Sequence, residues 1–408
     1  MHVAYIHQHF STKSGKTGTR SYEMAQRLLA AGHKVTMICG VNDATHGVLK
    51  TENRVNEQEI DGIRVMCIAE PYENKMSFYR RLMAFGRFAR AAEKVVKGVD
   101  ADLVFATSTP LSVGLPGMKG AKHLNKPFVF EIRDLWPELP IALGVLKNPL
   151  LKAYARHLER KLYFAAKHVV ALSPGIRDGI CATGYSRKQV TMIPNGCDLE
   201  LFKPDDAPLS DERFGSDDEL RCVFTGAHGL ANGLDAVLDA AKVLKERGEK
   251  GIRLVFIGTG REKPRLVERS KQEGTIDLIS WNDPVPKAEL AALLPRMDVG
   301  LMILKDIPAF YYGTSPNKFF DYISCGIPVL NNYPGWLAGM IDEHECGRVV
   351  QPNNPEAFAN ALVWFRDHRD QLSAMGARGR RLAEAEFARD KLAGKFVETL
   401  EAVYRNGK

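Results

Sequence analysis

"RSYEMAQRLLAAGHKVTMICG", residues 20–40, changes its periodicity part-way. Its first part reads as an amphipathic helix closed by Gly32, a residue that turns the chain without steric cost. "KVTMICG" (34–40) then reads as a short apolar strand, and "HVAYIHQ" (2–8), just upstream, reads as another. Strand, helix, strand is the unit that lets two strands lie parallel. The alternation continues outward: "IRVMCIA", "ADLVFAT", "PFVFEIRD" and "HVVALS" are further strands, with helical patterns between most of them. A doubly wound, mainly parallel α/β sheet is expected.

Around residues 194–208 a polar stretch rich in Pro, Gly and Asp reads as a linker, and the alternation restarts beyond it. "LRCVFTG", "IRLVFIG", "IDLISW", "VGLMIL" and "IPVLNN" read as strands, with helices over 233–247, 261–273, 287–296 and 316–324, and a helical tail over roughly 355–406. The expected architecture is α/β: two Rossmann-like domains, 1–198 and 199–387, facing each other across a cleft. In such open sheets ligands sit at the carboxyl ends of the strands.

The 408 residues suffice for two full cores, and 45% hydrophobic with 26% charged residues is ordinary globular composition. No apolar run approaches the length of a membrane span, and the opening "MHVAYIHQHF" is too short and polar for a signal peptide, so a cytoplasmic protein is expected. Seven cysteines, odd in number and scattered, suit reduced thiols better than a disulfide framework. The charge is uneven. Residues 1–200 carry 28 Lys+Arg against 18 Asp+Glu, hence +10, and the remaining 28 and 31 give −3. The basic half favours anionic partners, namely phosphorylated substrates or an anionic membrane surface. Nucleic acid ranks last, because no zinc-finger or aromatic RNA-binding signature accompanies the charge.

"GTSPNKFFDYISCGIPV", 313–329, is the most informative site segment. Ser315 is expected to cap a helix that has Pro316 in its first position, while Phe319, Phe320, Tyr322 and Ile323 form the buried side. Lys318 then stands in the first turn, where a cation is disfavoured unless it shares an anion with the helix N-terminus. Asp321, three residues on, points the same way and can accept hydrogen bonds from sugar hydroxyls. The plain alternative is a solvated Lys–Asp pair.

Other segments carry weaker signals. "STKSGKTGTRSYEMA" (11–25) brings Gly15, Gly18, Thr19, Arg20 and Ser21 to a strand–helix turn, an anion loop or an ordinary capped turn, but it lacks the P-loop spacing. "FIGTGREKPRL" (256–266) starts like a dinucleotide fingerprint, yet Lys263 stands where a third glycine would be. Its Arg261 is suited to a diphosphate or to solvent. "TGAHGLANGLDAVLDAA" (225–241) sets Gly226, His228 and Asn232 at a strand–helix junction, where a backbone can approach a ligand. In "EIRDLWPELP" (131–140), Asp134 is placed to take a proton from an acceptor hydroxyl, and Arg133 to hold negative charge; the alternative is a structural Arg–Asp pair. His7 and His9 share a face but lack further ligands for a metal. "FYRRLMAFGRFARAAEKVVKG" (78–98) is amphipathic: Phe78, Leu82, Phe85, Ala89, Ala92 and Val96 form one stripe, and Arg87, Arg90, Lys94 and Lys97 the next. It is either a core helix or a helix resting on anionic lipid.

The glycine loop with "LAAGHKVTMICG", then "RDLWPE", "VVALSPGIRDGI", "IPNGCDLELFKP", "GLDAVLDAAKVL", "LVFIGTG" and "SPNKFFDYISCGIPVL", in this order and spacing over nearly the whole chain, resembles the retaining glycosyltransferases of family 4. The resemblance implies the two-domain fold called GT-B, and it is nearest to the bacterial subgroup that builds surface polysaccharide (O-antigen or capsule), which includes N-acetyl-fucosamine transferases. It implies a hexosyltransferase-type enzyme whose C-terminal domain binds a UDP-sugar and whose N-terminal domain, joined by a final helix at about 388–408, takes the acceptor. That acceptor is often a glycan on a lipid diphosphate. No metal and no other cofactor is expected, and peripheral contact with the inner face of the plasma membrane is compatible with the basic half.

Carried onto this chain, Lys318, Arg261, Gly18, Asn317 and Ser315 would hold the donor diphosphate. Asp321, Gly260 and Pro284 would hold the ribose and base, and Gly226, His228 and Asn232 the sugar. Arg20, Thr19 and Arg133 would meet the acceptor, with Lys318, Asp134 and Arg133 catalytic. The chain departs from the family at Gly313, where the first of two glutamates is usual, at His228 and Asn232, where Arg and Lys are usual, and at Arg133, where a His is usual. No positioned carboxylate nucleophile is evident, so front-side attack with the diphosphate taking the acceptor proton is the expected route. The competing readings are a UDP-sugar epimerase or phosphorylase of the same fold, and a non-catalytic sugar-nucleotide binder. An NAD oxidoreductase is disfavoured by the broken fingerprint.

Overall fold

The structure, a computed structural model, describes residues 1–12, 18–41, 49–72, 76–205 and 211–407. Gly15, and the side chain of Phe78, lie outside what is described. The chain forms two compact units. The first is Met1–Pro194 with Gly313–Ser315 and Asp390–Lys408, and the second is Asn195–Tyr312 with Pro316–Arg389. The division falls a few residues before the expected 198/199 boundary and after the expected 387/388 one.

The first unit holds β1 (His2–Ile6), β2 (Lys34–Gly40), β3 (Val55–Ile60), β4 (Ile63–Ile68), β5 (Leu103–Thr107), β6 (Phe128–Ile132), β7 (His168–Ala171) and β8 (Val190–Met192). They lie in the order β3-β4-β2-β1-β5-β6-β7-β8, and all pairs are parallel except β3 with β4. Neither edge strand was expected: β3 is mostly polar and β8 spans only "VTM". Both faces are buried, as a parallel sheet requires. Ala4 and Ile6 of β1 pack with Phe88, Phe130 and Leu162 on one face, while Val3 and Tyr5 pack with Leu28, Phe105 and Phe396 on the other. Phe396 belongs to the C-terminal helix Arg389–Asn406, and its ring stands edge-on to Phe105 with centroids 5.0 Å apart.

The second unit holds β9 (Leu220–Thr225), β10 (Ile252–Ile257), β11 (Ile279–Asn282), β12 (Val299–Met302), β13 (Val329–Asn331) and β14 (Gly347–Val349), in the all-parallel order β11-β10-β9-β12-β13-β14. Phe224, Leu238, Phe256 and Phe358 centre its core. The helical tail divides into Pro355–Asp367, Arg369–Leu382 and Arg389–Asn406.

The stripe expected on the 78–97 helix is buried only in its later turns: Ala89, Ala92 and Val96 are in the core, whereas Tyr79, Leu82 and Met83 are exposed. All seven cysteines are free. No helix of the described residues is long and apolar enough to cross a membrane.

Candidate functional site

In the second unit, β9 ends at Thr225 and Gly226 turns the chain at φ +116. Gly258 and Gly260 close β10 beside it. A Cβ on Gly258 would lie 1.9 Å from the Gly226 carbonyl oxygen, and one on Gly260 would lie 2.4 Å from that of His228. These glycines therefore let two backbone segments pass, and the His228 N–H donates to Thr259 O at 2.9 Å across the same gap. At Gly260, which the resemblance assigns to the ribose and base, the place of a side chain is taken by the His228 backbone. Lys263, at the absent third glycine, donates to Gly258 O at 3.0 Å, Asn282 O at 2.8 Å and Asp283 at 2.8 Å. It ties the loops after β10 and β11 together.

His228, which the resemblance assigns to the sugar, has its side chain turned into the core. Its side chain is fully buried among Phe224, Phe256 and Trp281, and neither ring nitrogen has a partner among the described residues. Burial, then the nearby Lys263 and Lys318, lowers its pKa to about 4, so it is neutral.

Lys318 is the centre of this cluster. It lies in the first turn of the helix Asn317–Cys325, whose N-cap position is held by Pro316 with no side-chain cap. Pro316, expected in the first helical position, stands at the N-cap, one place earlier. Pro316 has no side-chain acceptor of its own, and first-turn N–H groups of a helix are the groups that can bind an anion. Lys318 Nζ stands 3.9 Å above the Phe224 ring and donates to Asn232 Oδ1 at 3.1 Å, while Asn232 Nδ2 donates to Ala227 O at 2.7 Å. Asn232 thus fixes the ammonium instead of standing free for a sugar. Lys318 Cε comes 3.7 Å from where a Gly226 Cβ would be, an ordinary contact, so it is the positive φ that calls for glycine there. Desolvation lowers the Lys318 pKa to about 7. Phe224, a core strand residue, carried no sequence signal that marked it.

Asp321 has different neighbours from Lys318, although the two were expected to point the same way. Burial raises its carboxyl to about 6, opposed by Lys287 and Arg389 and reinforced by Asp198. Asp198 itself accepts from Arg389 Nη1 at 2.6 Å and Lys287 Nζ at 3.3 Å. None of these three was identified from sequence. Arg261, Asn317 and Pro284 are exposed, and Arg261 makes no ion pair among the described residues.

In the first unit, Gly18 is exposed beside residues 13–17. Arg20 is not available to an acceptor. It is buried, its Nε and Nη2 donate to Glu131 Oε1 at 3.1 and 2.9 Å, and its remaining contacts are the Ile193 and Pro194 carbonyls at 2.8 and 2.7 Å. Thr19 is buried as well, and its hydroxyl reaches Glu23 at 3.4 Å rather than capping the helix Arg20–Ala30.

Arg133 and Asp134 follow β6. The Arg133 N–H donates to Ser108 Oγ at 3.0 Å, and Nη1 lies 3.4 Å from His7 Nε2. Arg133 forms no ion pair among the described residues, so the structural Arg–Asp pair is absent. Burial raises the Asp134 carboxyl, with Arg133 opposing, which makes it a better proton acceptor. Among the described residues no group of three or more His, Cys, Asp or Glu could share a metal ion.

Residues 17–196 match the family model described as a glycosyl transferase 4-like domain, and residues 219–368 match the one described as glycosyl transferases group 1. A GDP-mannose-dependent alpha-(1-6)-phosphatidylinositol monomannoside mannosyltransferase of Mycobacterium tuberculosis is 23% identical over 65% of this chain and 66% of its own, just under two thirds of its length. A D-inositol 3-phosphate glycosyltransferase of Thermomonospora curvata is 25% identical over 99% of this chain and 95% of its own. Among solved structures, sucrose-phosphate synthase of Thermosynechococcus elongatus superposes with a TM-score of 0.78 at 16% identity, covering 99% of each chain. Anabaena HepE in complex with UDP gives 0.71 at 15% identity, covering 98% of this chain and all of its own. At these identities the likeness is one of fold: the two-domain α/β arrangement called GT-B.

Proposed function

Because the chain belongs to the GT-B glycosyltransferases, we propose that it transfers a sugar, with retention of configuration, from a UDP-sugar to a glycan acceptor in bacterial surface polysaccharide synthesis. The observation that carries the reading is Lys318. A desolvated ammonium, pinned by Asn232 in the first turn of a helix, suits a diphosphate. Exposed Arg261 and Asn317 supply further donors. Asp321 holds the ribose hydroxyls, and the loop with Pro284 meets the base through its backbone. The diphosphate's charge is met by these groups rather than by a metal.

The transfer is a front-side displacement. The acceptor oxygen bonds to the anomeric carbon on the face from which the diphosphate departs. The acceptor proton passes to a diphosphate oxygen, and Lys318 stabilises the negative charge left on the leaving group. Arg133 and Asp134 stand on the acceptor side, in the first unit. The sugar is an N-acetylated deoxyhexosamine and the acceptor a lipid-diphosphate-linked glycan. Tyr79, Leu82 and Met83, beside Arg80 and Arg90, form the surface that touches an anionic membrane.

Thermal stabilisation by UDP, GDP, ADP, CMP and NAD tests the donor. A shift with UDP that is lost in Lys318→Ala supports the reading. A shift with GDP alone corrects the base to that named for the mycobacterial relative, and a shift with NAD alone, or with none, overturns it. Incubation with UDP-sugar and no acceptor separates the epimerase, which would make a new sugar nucleotide.

A further inference from the structure

His9, Tyr72 and Phe85 come from three places in the sequence and meet at the carboxyl edge of the first sheet. His9 follows β1 and Tyr72 follows β4. Both strands pair in parallel with β2, so their carboxyl ends share an edge. Phe85 reaches the same place from the 78–97 helix. The His9 and Tyr72 ring centroids are 4.6 Å apart, and Tyr72 stacks on Phe85 at 5.4 Å with 23° between planes. All three rings are half-buried, with part of each open to solvent, whereas core rings such as Phe88 and Phe105 are fully covered. Partly open rings in succession at the ligand-binding edge of an α/β sheet form a platform for a flat, weakly polar face such as that of a pyranose.

Arg133 lies on that edge too, because β1, β5 and β6 run parallel. Its half-buried guanidinium makes no hydrogen bond or close ion pair to a carboxylate among the described residues and reaches only His7, although Glu131 and Asp134 lie near enough to feel its charge. Burial, then Arg133 itself, keeps both His7 and His9 neutral, so no imidazolium competes for an anion there. The His7 Nδ1 is buried without a partner among the described residues. A half-buried guanidinium with most of its N–H donors unpaired is costly, and an anionic ligand that accepts from them offsets that cost.

We propose that the acceptor is a negatively charged sugar whose ring lies on His9, Tyr72 and Phe85 while its phosphate or carboxylate pairs with Arg133. The proposal rests on the glycosyltransferase reading only in calling this ligand the acceptor. With Arg20 committed to Glu131, these residues take the place that the sequence assigned to Arg20 and Thr19.

Binding of glucose, glucose 1-phosphate and glucuronate to the full chain, followed by ligand-observed NMR, tests it. At least one charged sugar should bind about tenfold more tightly than glucose, and Arg133→Gln should remove the difference. Tyr72→Ala should weaken the charged sugar about tenfold, with Tyr72→Phe close to the parent. Should Tyr72→Ala fail to fold, Phe85→Leu, which keeps apolar bulk and removes the ring, carries the same expectation. Preference for glucose 1-phosphate identifies a phosphate on the acceptor, and preference for glucuronate a carboxylate. Equal binding of glucose, no binding of any probe, or ring variants that bind like the parent would overturn the proposal. A parallel UDP titration keeps the two readings apart. UDP binding without charged-sugar binding sinks the platform alone, and the converse sinks the donor site alone.

Discussion

Lys318 Nζ reaches Asn232 Oδ1 at 3.1 Å, across 86 residues of sequence, and this bond aims the ammonium over the Phe224 ring at the end of β9. An ammonium so held needs no reorganisation when a diphosphate arrives, which is how preorganised charge accelerates a reaction.

Replacing Lys318 with Ala should lower kcat about 10²–10³-fold, the loss typical of one oxyanion-stabilising donor. Steady-state rates at saturating donor give the answer, and a loss below about tenfold would remove Lys318 from the catalytic role.

The same lysine predicts a pH dependence. Desolvation puts its pKa at about 7 in the free protein, and a bound diphosphate favours the ammonium and raises it. Binding therefore takes up a proton above pH 7, and UDP affinity should fall by up to about tenfold per pH unit from there, staying level at and just below pH 7. Titration calorimetry between pH 7 and 9 shows it, and Lys318→Arg should flatten the profile.

The ribose role proposed for Asp321 can be tested apart from diphosphate binding. Asp321→Ala should weaken UDP by about 1.5–3 kcal/mol, the worth of hydrogen bonds to a charged group. Pyrophosphate, which has no ribose, should bind the variant and the parent alike. Equal losses for both ligands would place Asp321 at the diphosphate.

Arg20 and Glu131 form a buried ion pair, so Arg20→Met should cost about 3–5 kcal/mol by leaving a carboxylate unpaired. Denaturant unfolding measures this. Burial pushes the Glu131 carboxyl up, but Arg20 outweighs burial and holds it below its ordinary range. The pair therefore stabilises the fold at neutral pH, and its contribution disappears as acid takes pH down through the folded-state value. A variant as stable as the parent would contradict the assignment.

Gly260→Ala places a Cβ 2.4 Å from the His228 carbonyl oxygen, against backbone that cannot move aside cheaply. A destabilisation of about 1–3 kcal/mol with weakened UDP binding is expected. Unchanged melting and binding would show that the two loops have room.

Much of the fold is legible along the chain because it rests on local periodicity. The helix–strand switch at residues 20–40, repeated on either side of the stretch around 194–208, specifies two parallel sheets before any contact is known. β3 and β14 escaped because a polar edge strand and a short "GRV" strand carry no apolar period. In the site, Lys318 was marked by a local conflict, a cation in the first turn of a helix.

Arg20 and Asn232 differ from expectation for one shared reason. Their residue types suit a ligand, but whether each is free depends on partners distant in sequence: Glu131 lies 111 residues from Arg20, and Lys318 lies 86 from Asn232. The sequence by itself determined the architecture and the lysine at the helix start. Only the tertiary structure decided which polar groups are consumed in holding the fold and which, like Lys318 and Arg133, make no ion pair among the described residues. Periodicity is a property of neighbours in the chain, whereas burial and charge pairing are properties of neighbours in space.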